Sequence, residues 1–242
     1  YEKHAEISGG WKTGYLNVAA SLNLNSGMKV GADSAITQKQ AIKMVYNALD
    51  KNICSVEFSG AEDLKLVSDN GKTPLSEWLH LEKSDGLVKT VGDLAVTRDK
   101  TASNIVTIGD AQIYLGDFDC YDYLGKYCEA YYYDDKSERS GELAAIAVIT
   151  GKNDITVINT EDVTAFEDGI LSYEDGRKIQ KVTITKNDEV SLNGDPVAAE
   201  ERQNALLNSD GTIMINELGK GDIELIALIS SYETYVVSAV NK

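Results

Sequence analysis

Apolar residues change their spacing once along this chain, from a helical period before about residue 50 to an extended one after it. Ala41, Met44, Val45, Ala48 and Leu49 recur at i, i+3, i+4, i+7 and i+8, which is one stripe of an amphipathic helix. Tyr15, Val18, Ala19 and Leu22 form the matching stripe of an earlier helix. Thr37 followed three residues later by Gln40 is a capping box: the hydroxyl accepts from an orphan backbone N–H, and the amide reaches back to the cap residue. Two helices of roughly three turns cannot bury both stripes alone, so they need partners elsewhere in the chain or in further repeats.

From Ile53 the pattern predicts strands at Ile53 to Phe58, Asp63 to Val67, Gly86 to Thr97, Asn104 to Ile108, Gln112 to Leu115, Tyr127 to Tyr133 and Glu142 to Ile149. Thr73 and Pro74 predict one helix among them, at residues 73–81, with Leu75, Trp78 and Leu79 on one side. A second extended set covers Ile155 to Ile158, Asp162 to Phe166, Ile170 to Tyr173, Lys178 to Thr185 and Glu189 to Leu192. A short helix over residues 198–207 follows, then strands at Gly211 to Asn216, Ile223 to Ile229 and Tyr235 to Val240. The pairs Asp168-Gly169, Asp175-Gly176 and Asn193-Gly194 supply the positive φ of tight hairpins, so the strands read as antiparallel.

The fold class expected is therefore α+β. An N-terminal helical hairpin at residues 1–50 precedes two mainly antiparallel β domains, each a small barrel or sandwich, at 51–152 and 153–242. Charge supports the first boundary: residues 1–50 hold five Lys against four Asp and Glu, and the rest holds 18 basic against 35 acidic residues. The total of −16 argues against nucleic acid and anionic membrane as partners. No stretch approaches the roughly 18 apolar residues of a membrane span. Beginning at Tyr1 without an initiator Met, the chain reads as a processed piece of something longer.

Gly10 to Leu49 resembles one S-layer homology repeat. In that family a Trp opens the first helix, a small-residue stretch turns the corner, and an Ile-Thr-Arg-Ala-Glu run starts the second helix. The matching pieces are Trp11, then Ala19 to Gly27, then Ile36-Thr37-Gln38-Lys39-Gln40-Ala41. The resemblance implies an extracellular cell-wall or S-layer setting, with wall polysaccharide or neighbouring S-layer subunits as partners, and places any polymer contact at Trp11, Thr37 and Gln38. Gln38 stands where the family has Arg, and an amide lacks the charge and bidentate fork that suit Arg to anionic groups. Thr37 and Gln40 keep the cap while Gln38 drops the charged contact, so the motif reads as architecture. The run from Leu207 to Ile213 through Asp222 and on to Tyr232 to Val237 looks similar to the β-rich region that follows such repeats in surface proteins of anaerobic Gram-positive bacteria, and Thr73 to Gly86 and Ser191 to Gly194 look similar to parts of that region.

Candidate chemistry is sparse. His4 and His80 have no neighbouring Ser or Cys arrangement that would make a triad. Asp117 with Asp119 and Asp134 with Asp135 are carboxylate pairs, but among 39 acidic residues they read as solvated surface. Asn208 to Gly211 and Glu217 to Asp222 place oxygen donors around glycine turns without the spacing of a calcium loop, so neither a metal nor a cofactor is expected. Cys54, Cys120 and Cys128 show no zinc spacing; a Cys120–Cys128 bridge is conceivable, and buried free thiols are the favoured reading. The expected function is non-enzymatic and structural. The alternative is a carbohydrate-binding or adhesive module, because 13 Tyr against 3 Phe favours sugar stacking on Tyr-rich strands.

Overall fold

The structure is a computed structural model that describes residues 10–31, 33–58, 64–99, 101–219, 221 and 223–232. The strand expected at Tyr235 to Val240 lies outside them, as do His4, Asp63, Lys220 and Asp222. The chain divides into two compact units, Tyr1–Glu82 and Lys83–Lys242.

In the first unit, α1 (Trp11–Ser21) and α2 (Gln38–Leu49) are followed by the hairpin β1 (Cys54–Phe58) and β2 (Leu64–Ser68) and by α3 (Pro74–Trp78). Both capping boxes form: Thr37 with Gln40 at α2, and Thr73 with Ser76 at α3, where Pro74 takes the first turn. Helix α3 is shorter than the expected 73–81, because His80 turns out of the helix at φ 53 and Leu81 already starts a strand. The stripe of α2 is only partly covered among the described residues. Ala41, Met44, Ala48 and Leu49 are half-buried, but Val45 is 64% exposed and Ile42 beside it 62%.

The second unit begins within β3 (Leu81–Val91) and continues with β4 (Leu94–Ala95), β5 (Ile105–Ile108), β6 (Ala111–Tyr114), β7 (Tyr127–Tyr133) and β8 (Leu143–Val148). The single strand expected over Gly86 to Thr97 starts earlier and folds back on itself at Gly92 (φ 56), so that Thr90 pairs with Ala95. The sheet order is β6-β5-β3-β7-β8, with β4 on β3. Its outer edges meet only at the Tyr114–Glu142 bridge, so the sheet curls without closing into a barrel. Val88, Val91, Val106, Ile108, Ile113, Cys128 and Leu143 fill its inside. One close approach there demands glycine: a Cβ on Gly86 would lie 2.5 Å from the Cα of Gly109.

The chain continues through β9 (Asp154–Asn159), β10 (Val163–Glu167), β11 (Ile170–Asp175), β12 (Lys178–Thr183), β13 (Glu189–Leu192), β14 (Asp195–Pro196), α4 (Arg202–Asn208), β15 (Gly211–Glu217) and β16 (Leu225–Ser231). Asp168-Gly169 and Asn193-Gly194 adopt positive φ at both turn positions, as expected of tight hairpins. Strands β10-β11-β12 form one antiparallel sheet, and β14-β13-β16-β15-β9 form another. The sheets are mainly antiparallel, as expected, with two exceptions: the isolated Tyr114–Glu142 bridge is parallel, and β13 and β16 run parallel, with Ser191 opposite Leu228. That pairing spans the connection carrying α4, as parallel neighbours require. Ile158, Leu171, Val190, Leu206, Ile213, Ile215 and Ile229 make the second core.

Core depth sets the expected cost of truncation. Ile213→Ala removes a fully buried side chain between β9 and β16 and is expected to cost about 2–5 kcal/mol. Val45→Ala, on exposed α2, is expected to change stability by less than about 0.5 kcal/mol. Urea unfolding followed by circular dichroism measures both, and equal losses at the two positions would contradict this core assignment.

Candidate functional site

The repeat-like segment is built by short polar clasps. The backbone N–H of Gln40 donates to Thr37 Oγ1 at 3.2 Å, and the N–H of Thr37 donates to Gln40 Oε1 at 2.8 Å. Gln40 Nε2 reaches on to the carbonyl of Lys29 at 3.3 Å. Asn47, two residues before the end of α2, donates to the carbonyls of Leu24 and Ser26 at 2.9 and 3.2 Å and pins the corner loop to the helix. Lys12 of α1 pairs with Asp33 of the connection between α1 and α2. Thr37 is thus engaged as the helix cap, while Gln38 follows it as an exposed first helical residue. Trp11 is the first residue of α1, and its side chain lies outside the described residues. Asn47 was not anticipated from the sequence: it lies off the apolar stripe of Ala41, Met44, Val45, Ala48 and Leu49, so periodicity gave no signal for it.

The Tyr-rich strand β7 is decorated by cations. Lys152 lies over Tyr127 at 5.4 Å, Lys83 over Tyr131 at 5.5 Å, and the Arg139 guanidinium over Tyr133 at 4.7 Å, within cation–π range. Arg139 is fixed there by Glu142, which accepts from its Nε at 2.8 Å, and Lys83 also pairs with Glu129 at 3.0 Å. These ring faces are half-buried and carry a protein cation on one side, which leaves less of them for a stacking sugar.

Three surface clefts show what the second unit offers. One of about 500 Å³ has Lys89, Arg98, Asp99 and Asp110 on its walls. At its floor the buried Thr90 hydroxyl bonds Thr101 and Thr107, each at 2.8 Å. A second, of about 530 Å³, lies along α4 beside Glu200, Glu201 and Asn204. A third, of about 370 Å³, runs between β9 and the β11–β12 turn and contains Tyr173. None of the three brings several aromatic rings together.

The remaining polar candidates resolve into local structure. Asp119 Oδ1 accepts from the N–H of Tyr121 at 3.1 Å, and Asp134 Oδ1 accepts from that of Lys136 at 3.0 Å, so one member of each carboxylate pair holds a turn. Ser209 donates to the Ala205 carbonyl at 2.6 Å, and Gly211 N–H donates to Thr160 Oγ1 at 2.8 Å, closing the end of α4. Among the described residues no three His, Cys, Asp or Glu side chains gather as metal ligands would. Arg202 was not anticipated: it is buried and donates to the carbonyls of Thr185 and Asp188 at 2.7 and 2.5 Å. Asp188 in turn accepts from the N–H groups of Thr185 and Leu225. Burial raises the Glu189 carboxyl above its ordinary range, against the opposing pull of Arg202 and Arg98.

No family model matches the chain, and no curated protein matches it.

The cysteines give a direct test of packing. Cys120 and Cys128 are buried free thiols, and Cys54 is exposed. Burial, with Asp119 adding for Cys120, pushes the first two up to about 11 and about 12. Ellman's reagent near pH 8 is expected to titrate Cys54 alone in the native protein and all three thiols in denaturant. A thiol that holds its proton more tightly when folded supports the fold below its ordinary value of 9.0 and loses that support as pH rises toward 11 and 12. Stability is therefore expected to decline above about pH 9; rapid native labelling of all three cysteines would refute the assignment.

Proposed function

We propose that this chain is a non-enzymatic structural component of a bacterial cell surface, with an S-layer-homology-like segment joined to an acidic β-rich body. The observation that carries this reading is the Gly10 to Leu49 segment. Its capping box at Thr37 and Gln40 and its Asn47 clasp hold a helix–loop–helix together while no charged ligand group stands at Gln38. The resemblance of that segment, together with a net charge of −16, supports an extracellular place at the wall or in the S-layer. Wall polysaccharide or neighbouring S-layer subunits are the proposed partners, reached through further repeats of a parent protein. The β domains, as small barrel-like or sandwich-like bodies, then serve as spacers or lattice contacts.

Retention on purified peptidoglycan carrying its attached polymer tests the reading. A parent protein with three repeats is expected to be retained, and this chain alone only weakly. Gln38→Arg is expected to raise retention of the single repeat by restoring a fork that can hold an anionic group. No retention of the three-repeat parent would overturn the anchoring role.

A further inference from the structure

Strand β9 is the outer strand of its sheet: its residues pair with β15 from Asp154 opposite Glu217 to Asn159 opposite Thr212, and among the described residues no strand lies on its other side. Alternate N–H and C=O groups of such an edge point outward and can accept another strand. Several other edges of the second unit are guarded. Strand β12 carries Lys178 and Lys181, β14 is two residues long with a Pro, β10 packs with α4, and β6 meets the start of β8 at the Tyr114–Glu142 bridge. Strand β9, Asp-Ile-Thr-Val-Ile-Asn, has no Lys, Pro or Gly. Its pleat buries Ile158 in the second core and leaves Val157 65% and Ile155 40% exposed on the opposite face.

Beside this edge lies the cleft of about 370 Å³. Its charged lining residues are Asp162, Glu174 and Asp175, and no basic residue lines it. At one end Asp154 and Glu217 stand directly opposite each other across β9 and β15, a like-charge pair that weakens a sheet unless a cation lies nearby. Among the described residues none of these five carboxylates forms an ion pair. The Tyr173 hydroxyl feels the same field: burial raises its pKa, and Asp175 and Glu217 add to the shift.

We propose that β9 and its acidic cleft form a strand-addition site for an extended, basic segment of a partner protein, whose backbone continues the sheet and whose Lys or Arg side chains neutralise Asp162, Glu174, Asp175 and the Asp154–Glu217 pair. Apolar residues alternating with the basic ones cover Ile155 and Val157. A second copy of this chain fits less well, because pairing β9 with itself brings the same carboxylates together. The site is independent of the helical repeat and of wall binding.

The test uses the full chain and a fluorescein-labelled peptide of about twelve residues that alternates Lys with Val and Thr, long enough to pair with all of β9. Anisotropy is expected to show saturable binding that weakens about tenfold or more as ionic strength rises from about 0.05 to about 0.5 M. The same peptide with Glu for Lys, or with Pro at alternate positions, is expected not to bind. Val157→Lys, at an exposed position, is expected to keep the native circular dichroism and thermal transition while weakening binding about tenfold. Equal binding of the Pro-containing peptide would reduce the effect to charge alone and overturn the proposal. So would unchanged binding by Val157→Lys, or an absence of binding to the full chain. Sedimentation showing dimers that Val157→Lys abolishes would assign the edge to a second copy instead.

Discussion

The second unit depends on one strand with apolar side chains on both faces. Along β16 the pleat sends Leu225, Ala227 and Ile229 into the second core, while Ile226 enters the first and Leu228 packs against it. A strand of this kind has no solvent face to tolerate a slip, since a shift of one residue would exchange every side chain between the two cores. Its parallel neighbour β13 and antiparallel neighbour β15 hold that register. Polar ties reinforce it across the seam. Buried Asn216 donates to the Gly125 carbonyl and to Asn153 Oδ1, both at 2.8 Å, and buried Ser191 donates to the Ala95 carbonyl at 2.9 Å. A buried amide or hydroxyl left without such a partner would cost more than the bond itself contributes, so these ties select one packing of the two cores.

The first unit contrasts with this. Helix α2 has no buried residue, and its form rests on the capping box and the Asn47 clasp rather than on a deep core. Local hydrogen bonds can define such a helix, but short helices in water need tertiary cover for most of their stability. Val45 of the stripe and Ile42 beside it lack that cover among the described residues. Acidic charge follows the opposite distribution, sparse in residues 1–50 and dense beyond them. The β-rich part therefore presents the stronger field, and β9, an outer strand among the described residues, lies within it.

Local chemistry was readable in advance wherever a few neighbouring residues decide it. Thr37 with Gln40, Thr73 with Pro74, and the Asn193-Gly194 and Asp168-Gly169 turns each act as their own sequences require. Strand β7 was legible from end to end because Tyr, Cys and Ala suit a strand covered on both faces, and β13 because its apolar run is bounded by turn residues. Misreadings came where distant residues intervene. Gly92 breaks the run from Gly86 to Thr97 because β5 pairs with β3 there, and residues 79–81 leave the helix because Leu81 joins a sheet. Within Gly10 to Leu49, the cap was legible but the Asn47 clasp was not, since its partners Leu24 and Ser26 lie more than twenty residues away.

The amino-acid sequence by itself determined the helix starts, the tight turns, the position of most strands and the acidic surface, because these depend on side-chain type and spacing over a few residues. Only the tertiary structure decided that β13 and β16 run parallel, that β16 divides two cores, that Arg202 is buried against backbone carbonyls, and that β9 is the outer strand of its sheet among the described residues. Each of these joins segments far apart in the chain, and a period-2 pattern is identical for parallel and antiparallel partners and for inner and edge strands. Which strand lies outermost follows from the sheet order, and periodicity does not encode sheet order.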